Sequence, residues 1–307
     1  MGRKTRFRGR RPGLKHWAEY LLLRVVVFLL SRLSWNGTRR LGRFAGRLAW
    51  LTGVRRDVTL ENLAQAFPEW NEPRRRSVAR ACYEHFGTTF LELCRLPHVT
   101  REEVLLRTTF ERPEAFAAAH AAGRGAILLT GHLGNWELMG AAVPSLGYPT
   151  RFLVATQSNR LVNAYVCRAR QSAGAGILPA EYGLRAILRT LRANEFVAFL
   201  SDQDAGRDGR FVEFFGRLAS TPLGPVRFAR LARAPIILGY SIRRPDGTYF
   251  ARMPPPIQVR TDLPAEEAEL EATRESVALL EGVIREHPEQ WFWMHRRWKT
   301  RPPAPAA

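Results

Sequence analysis

The chain has 307 residues, enough for a large core in one domain together with a helical preface. Hydrophobic residues make up 46% and charged residues 24%, an ordinary globular composition. The three cysteines, Cys82, Cys94 and Cys167, are odd in number and lack C-x-x-C spacing, which argues against a disulfide scaffold or a zinc site. The net charge of +19 is unusual, and its placement is informative. Residues 1–56 hold fifteen Lys/Arg against one acid, Glu19, while the remaining 251 residues hold 32 basic and 27 acidic side chains. The excess therefore belongs to the N-terminal end.

In chain order, residues 1–13 read as a basic disordered tail. Leu14 to Trp35 follows with a short apolar core interrupted by Arg24, Ser31 and Arg32. It lacks a small-residue cleavage site and falls short of the ~20 apolar residues of a spanning helix. An uncleaved helix that inserts into, or lies on, a membrane fits better, its basic flank facing anionic lipid on the cytoplasmic side. A nucleic-acid-binding arm is the competing reading of the same arginines. Arg39 to Trp50 carries Leu41, Phe44 and Leu48 at helical spacing with arginines between them, a second interface-lying helix. Helices are expected over Arg55 to Phe67, stopped by Pro68, and over Pro73 to Leu96. A strand is expected over Val104 to Thr109, then an Ala-rich helix over Pro113 to Ala121.

From Gly125 the pattern alternates. Expected strands are Ala126 to Thr130, Arg151 to Ala155, Phe196 to Ser201 and Ile236 to Ile242. The helices between them are Trp136 to Val143, Arg160 to Ser172, Gly183 to Ala193 and Gly224 to Ala232. Such alternation implies an α/β fold: a mixed, mostly parallel sheet flanked by helices, with ligands gathering at the carboxyl ends of the strands. Tyr249 to Val259 reads as an edge strand broken by three prolines, and Pro264 to His287 as a long amphipathic helix.

The central stretch is Gly125 to Gly140, GAILLTGHLGNWELMG. Its strand ends at Thr130-Gly131, Gly134-Asn135 offers a turn and a helix cap, and the helix follows. His132 sits in that connection, with Glu137 five residues later. Five is not one-face spacing on a straight helix, so the pair meets only if the chain turns at the glycines. A carboxylate that fixes an imidazole makes it a base able to activate a hydroxyl. Asp202-Gln203-Asp204 follows an equally apolar strand; its acids could bind a metal, orient a base, hold an arginine or cap a turn. Motifs of competing enzymes are missing: there is no G-x-S-x-G, Walker A, H-E-x-x-H or full G-x-G-x-x-G.

HLGNWE resembles the H-x4-D/E signature of glycerolipid acyltransferases, and more closely the late lauroyl/myristoyl acyltransferases of lipid A biosynthesis. RRDVTLENLAQAFPE, SDQDAG, FFGRLASTPLG and PEQWFWMHRRWKTRP fit the same family. The resemblance implies a membrane-associated O-acyltransferase at the cytoplasmic face of a bacterial inner membrane. It further implies an acyl carrier protein thioester as acyl donor and a lipid A precursor as acceptor, with no cofactor, metal or nucleic acid expected. His132 is the expected general base, oriented by Glu137. Asp202 is expected to organise the site around an arginine, Arg168 or preferably Arg170, with Asn135, Gln203, Asp204, Gly216 and Thr221 contacting substrate. ATQSNR, residues 155–160, lacks the Tyr-Arg-Pro usual in that segment. Backbone amides near Gly131 to Gly134, or an arginine, would hold the oxyanion. Trp298, with Arg296, Arg297 and Lys299, is expected against lipid phosphates, and His295 is expected to be structural. The same chemistry with another glycolipid or a lysophospholipid, and acyl-CoA as donor, is the alternative; a non-enzymatic basic membrane- or nucleic-acid-binding protein is the second. The implied division is a tail at 1–13, a membrane-associated helical segment at 14–56, an acyltransferase domain at 57–302 and a tail at 303–307.

Overall fold

A computed structural model describes residues 12–303. The expected tails therefore fall outside the described residues, except at positions 12, 13 and 303.

Four helices come first: α1 (Leu14–Ser31), α2 (Trp35–Leu51), α3 (Arg56–Ala66) and α4 (Glu72–Arg95). Two begin with the side-chain caps their sequences offer. The Ser34 hydroxyl accepts from the Gly37 amide at 3.1 Å, and the Asn71 carbonyl oxygen from the Arg74 amide at 3.0 Å. α2 and α4 pack along a glycine seam. A Cβ added at Gly46 would lie 2.1 Å from the Tyr83 carbonyl oxygen, and one at Gly87 2.3 Å from that of Gly42. Only hydrogen side chains allow the two backbones this close.

Next come α5 (Arg101–Arg107), β1 (Thr108–Phe110) and α6 (Glu114–Ala121). The expected strand over 104–109 is mostly helix, because Thr100 caps α5 through the Glu103 amide at 3.2 Å. The alternating region supplies β2 (Ala126–Thr130), α7 (Trp136–Ser145), β3 (Thr150–Val154), α8 (Arg160–Ser172), β4 (Gly176–Pro179), α9 (Gly183–Arg192) and β5 (Phe196–Leu200). A hairpin of β6 (Arg210–Phe214) and β7 (Arg217–Thr221) is inserted before α10 (Gly224–Ala232). Then follow β8 (Ile236–Leu238), β9 (Tyr240–Arg243), β10 (Tyr249–Arg252) and α11 (Ala265–Glu286).

The main sheet has the order β4-β3-β5-β2-β8, with every pairing parallel. Alternate residues of its strands feed different cores. Ile127, Leu129, Val197 and Phe199 join one large cluster with α9, α10 and α11, while Ala126 and Phe196 join another with α6 and Val143. Both faces are thus covered, as a parallel sheet requires. The continuous strand expected over 236–242 is split at Gly239. Its second half, β9, pairs with β10 in a separate sheet of order β1-β10-β9. β10 is therefore central rather than an edge, and it stops before the prolines.

Candidate active site

β2 and β5 are adjacent and in register, with Thr130 opposite Leu200. Each chain then runs two residues past the strand end, to His132 and to Asp202. The side chains meet there: His132 Nδ1 lies 2.7 Å from Asp202 Oδ1, and the His132 amide donates to Oδ2 at 2.7 Å. The indole Nε1–H of Trp291 donates to the same Oδ2 at 2.8 Å. Asp202 is 3% exposed, so three donors neutralise its burial cost. With Nδ1 engaged, Nε2 is left without a hydrogen-bond partner among the described residues and is the nitrogen available to accept a proton.

Burial by itself drives the His132 ring towards its neutral form. The Asp202 charge and hydrogen bond outweigh that, with a smaller contribution from Glu137, and hold the imidazole above the usual histidine range. Asp202 is itself held below the usual carboxylate range: burial opposes this, but the His132 charge and the hydrogen bonds from His132 and Trp291 prevail.

The connecting loop is clamped from three sides. Gly134 adopts φ +63°, and a Cβ there would stand 1.5 Å from the Ser241 carbonyl oxygen. Its amide donates to Gln290 O at 2.8 Å, while the Phe292 amide donates to His132 O at 3.0 Å. Its carbonyl meets the buried His85 ring and the Thr89 hydroxyl, both at 3.1 Å. Asn135 caps α7 by accepting from the Leu138 amide at 2.9 Å, and its Nδ2 donates to Glu92 at 2.9 Å. Glu92 in turn holds Arg243 and Tyr249. Asn135 is 1% exposed and consumed by these bonds, so it is a cap rather than a substrate contact.

Glu137 is not the partner of the imidazole. Its carboxylate takes a two-pronged bond from Arg170 of α8, with Nε to Oε2 at 2.9 Å and Nη2 to Oε1, and also accepts from the Trp136 indole at 3.2 Å. The two acids therefore exchange the partners that the sequence suggested: Asp202 takes the histidine and Glu137 the arginine. Helix geometry explains the second pairing. Glu137 lies in the first turn of α7, past the bend at Gly134, and faces α8 rather than back along the loop. Arg168, two residues or about 200° round α8 from Arg170, points to solvent.

Glu137 and Arg170 form the polar wall of an apolar cavity between the sheet and α7. Phe116, Met139, Phe152, Ile237 and Met253 line its depth, and Thr130, Trp136 and Leu200 its mouth. It holds about 660 Å³ of atom-free space, solvent at the mouth included. The His132 ring is not itself in the lining but stands against Trp136, which is, their centroids 5.0 Å apart.

Other expected contacts lie elsewhere. Asp204 ties down the C-terminal segment, accepting from the Thr300 hydroxyl at 2.9 Å, and its amide donates to the His295 ring at 3.0 Å. Gln203 is half-buried beside it. Gly216 is at the exposed tip of the β6–β7 hairpin, where Phe215 and Gly216 both take positive φ. Thr221 is buried and accepts from Arg297 at 2.7 Å. None of these residues lines the apolar cavity. Arg297 is 1% exposed, with a second bond to Ser220 O at 2.6 Å, and burial brings its pKa down to about 10. It is a core residue, not a phosphate contact; Trp298 is half-buried against Phe214, and only Arg296 and Lys299 reach solvent.

The functional residue that sequence reasoning missed is Trp291. The aromatic run reads as a membrane belt, yet Trp291 and Trp293 are buried, edge to face at 4.5 Å, their N–H groups on Asp202 and on Pro288 O. A buried indole N–H needs an acceptor, and only the tertiary fold reveals which one it finds.

Arg170→Gln should be among the more damaging changes outside the dyad. It strands the Glu137 carboxylate, which is 3% exposed, and breaking such a buried pair costs about 3–5 kcal/mol. Denaturant unfolding should show that loss, and Arg170→Lys, which keeps charge without the fork, should recover only part of it.

The model of the bacterial lipid A biosynthesis acyltransferases matches residues 1–300. Relatives include the lipid A biosynthesis lauroyltransferase of Escherichia coli (strain K12), 28% identical over 94% of this chain and 93% of its own. The palmitoleoyltransferase of the same strain is 26% identical over the same shares. The phosphatidylinositol mannoside acyltransferase of Mycobacterium tuberculosis (strain ATCC 25618 / H37Rv) is 26% identical over 86% of each chain. With the match running almost end to end, the chain belongs to the bacterial lipid A biosynthesis acyltransferase family and is an acyltransferase.

Proposed function

We propose that the protein is a membrane-associated O-acyltransferase that moves a fatty acyl chain from an acyl carrier protein thioester to a hydroxyl of a lipid A precursor. The observation that carries this reading is the His132–Asp202 pair, whose imidazole packs against Trp136, a lining residue of the apolar cavity. The donor's hydrocarbon fills the cavity, which sets its thioester beside the ring. His132 Nε2 takes the proton of the acceptor hydroxyl, and Asp202 stabilises the imidazolium that results. The oxygen attacks the thioester carbon, the C–O bond forms, the C–S bond breaks, and the imidazolium returns its proton to the departing thiolate.

The developing oxyanion needs a donor. The amides of His132, Leu133 and Gly134 are already committed, to Asp202, Gly131 O and Gln290 O. Of the donors expected there, the Gly131 amide, which makes no such bond among the described residues, and Arg170, on the cavity wall and held in place by Glu137, remain.

Membrane association is supported by the apolar side chains that α1 and α2 leave in the open. Leu21, Leu22, Val25, Phe28 and Leu29 on α1, and Leu41, Phe44, Leu48 and Leu51 on α2, are all exposed. Among the described residues no helix is long and apolar enough to cross a membrane. These helices suit a position in the interface plane, with Arg40, Arg43 and Arg47 near anionic headgroups.

Mass spectrometry of lipid extracts from a deletion strain tests the reading. The expected result is lipid A lacking one acyl chain. A changed phosphatidylinositol mannoside or other glycolipid would move the acceptor to that class, and an unchanged lipid profile would remove the enzymatic assignment.

A further inference from the structure

A polar pocket opens where α2, α4 and the turn between β9 and β10 meet, with about 870 Å³ of atom-free space, open solvent included. It shares no lining residue with the apolar cavity. Its lining includes Arg39 and Arg43 of α2, Arg244 of the turn, and a floor of His85, Arg243 and Gln290. That floor is fixed. His85 Nε2 donates to Gly134 O at 3.1 Å, and its Nδ1 accepts from Arg243 Nη1 at 3.1 Å. Gln290 Oε1 accepts from the Arg243 amide at 2.8 Å. The other guanidinium nitrogens of Arg243 are spent on Tyr249, Thr89 and Glu92.

The remaining three arginines have no acid of their own. Arg43 and Arg244 are exposed and Arg39 is half-buried, and none of them forms an ion pair among the described residues. The nearby carboxylates are committed elsewhere. Glu84 takes both prongs of Arg47, at 2.7 and 3.2 Å, and Asp246 accepts from the amide and the hydroxyl of Thr248, both at 2.8 Å. The arginines are nonetheless drawn together. A Cβ added at Gly247 would lie 1.1 Å from Arg39 Nη1, so this guanidinium crosses from α2 onto the turn that carries Arg244. Asp246 on that turn is held below the usual carboxylate range chiefly by its Thr248 bonds, with Arg244 and Arg39 both contributing. Arg43 follows Arg39 by four residues on α2, which places the two on one flank.

Like charges gathered at one pocket repel, and a bound anion relieves that repulsion. Forked guanidinium donors match the oxygens of a phosphate. The same helix exposes Leu41, Phe44 and Leu48 beside this flank, which sets the pocket at headgroup level when that stripe meets a bilayer.

We propose that this pocket binds a phosphate group, carried by an anionic lipid headgroup or free in solution, at a site separate from the acyl-chain cavity. Occupied by a headgroup, it seats α2 at one position on the membrane surface, which diffuse attraction of scattered arginines does not do. The phosphate chemistry rests on the arginine cluster; only its source rests on the interfacial placement proposed above.

The test uses the full chain with neither acyl donor nor acceptor present. One arm follows thermal melting in neutral detergent micelles with inorganic phosphate against chloride at matched ionic strength. The other measures flotation with phosphatidylcholine vesicles, with and without phosphatidic acid. Arg43→Gln/Arg244→Gln empties the rim of two forks, and Arg32→Gln/Arg40→Gln removes the same charge from exposed arginines outside the pocket. Diffuse attraction would weaken both double variants alike. The expected result is a Kd for acidic vesicles raised about tenfold or more in the pocket variant beyond that of the control variant. That difference in the vesicle arm alone names a lipid headgroup as the source. Loss of phosphate stabilisation from the pocket variant alone names phosphate itself, whether or not vesicles also discriminate. Equal effects of the two double variants in both arms, or an unmodified chain indifferent to phosphate and to phosphatidic acid, would overturn the site. The single changes Arg244→Gln and Arg40→Gln repeat the comparison should a double variant melt early. The acyltransferase reading stands apart from every one of these results, since it is judged on the lipids of the deletion strain.

Discussion

Replacing His132 with alanine is expected to lower acyl transfer by about 10⁴-fold or more while the protein stays folded. General base catalysis contributes about 10²–10⁴, and removing a histidine that works as one unit with its carboxylate has cost more in other enzymes. No covalent bypass is evident. The one fully buried cysteine, Cys82, bonds to Trp291 O, and burial pushes its thiol up to about 12, which leaves it unreactive. The fold should tolerate the change. The His132 side chain is 23% exposed, and its single ring partner, Asp202, keeps the Trp291 indole and the residue-132 amide as donors. Turnover with the acyl carrier thioester, alongside a thermal melt, checks both halves of the statement.

Asp202→Asn should cost about 10²–10⁴-fold in kcat through the tautomer rather than through the fold. The amide oxygen can still accept from Trp291 and from the His132 amide. Its NH₂ then faces Nδ1, which must become an acceptor, so the ring proton moves to Nε2. A histidine protonated at Nε2 cannot take the acceptor's proton. Glu137→Gln, by contrast, leaves Nδ1 on Asp202, so a loss of that size from Glu137→Gln and none from Asp202→Asn would reverse the assignment drawn here.

Much of the scaffold was legible because its signals are local. The short apolar runs of β2 and β5 and the amphipathic runs of α8 and α10 gave the right elements at nearly the right residues. What failed depended on neighbours. Residues 236–242 form one apolar run in sequence, yet two sheets claim its halves. The strands of the β6–β7 hairpin were not read, although Phe214-Phe215-Gly216 offers its turn, in which Phe215 and Gly216 both take positive φ.

The site was half legible for the same reason. His132 and Asp202 each follow an apolar strand by two residues, and parallel, in-register pairing of those strands is enough to join them. That pairing is a property of the sheet order, which local sequence does not encode. Proximity in sequence favoured Glu137 instead, and the loop bend at Gly134 turns that residue towards Arg170. The C-terminal tryptophans illustrate the converse error: amphipathic rings suit a membrane interface, but equally a core that supplies an acceptor for each N–H.

The most direct measurement is the pH dependence of kcat/KM for the unmodified protein and for Asp202→Asn, which reports the base of the free enzyme. Asp202 raises the His132 pKa against the pull of burial, so activity should climb with pH through a midpoint above the ordinary value of about 6.5. Without the carboxylate, only the smaller pull of Glu137 opposes burial, and the residual activity of Asp202→Asn should climb through a midpoint below that of the unmodified protein, to a plateau about 10²–10⁴-fold lower. Coincident midpoints in the two proteins, or a midpoint that rises on losing the carboxylate, would contradict a base tuned by Asp202.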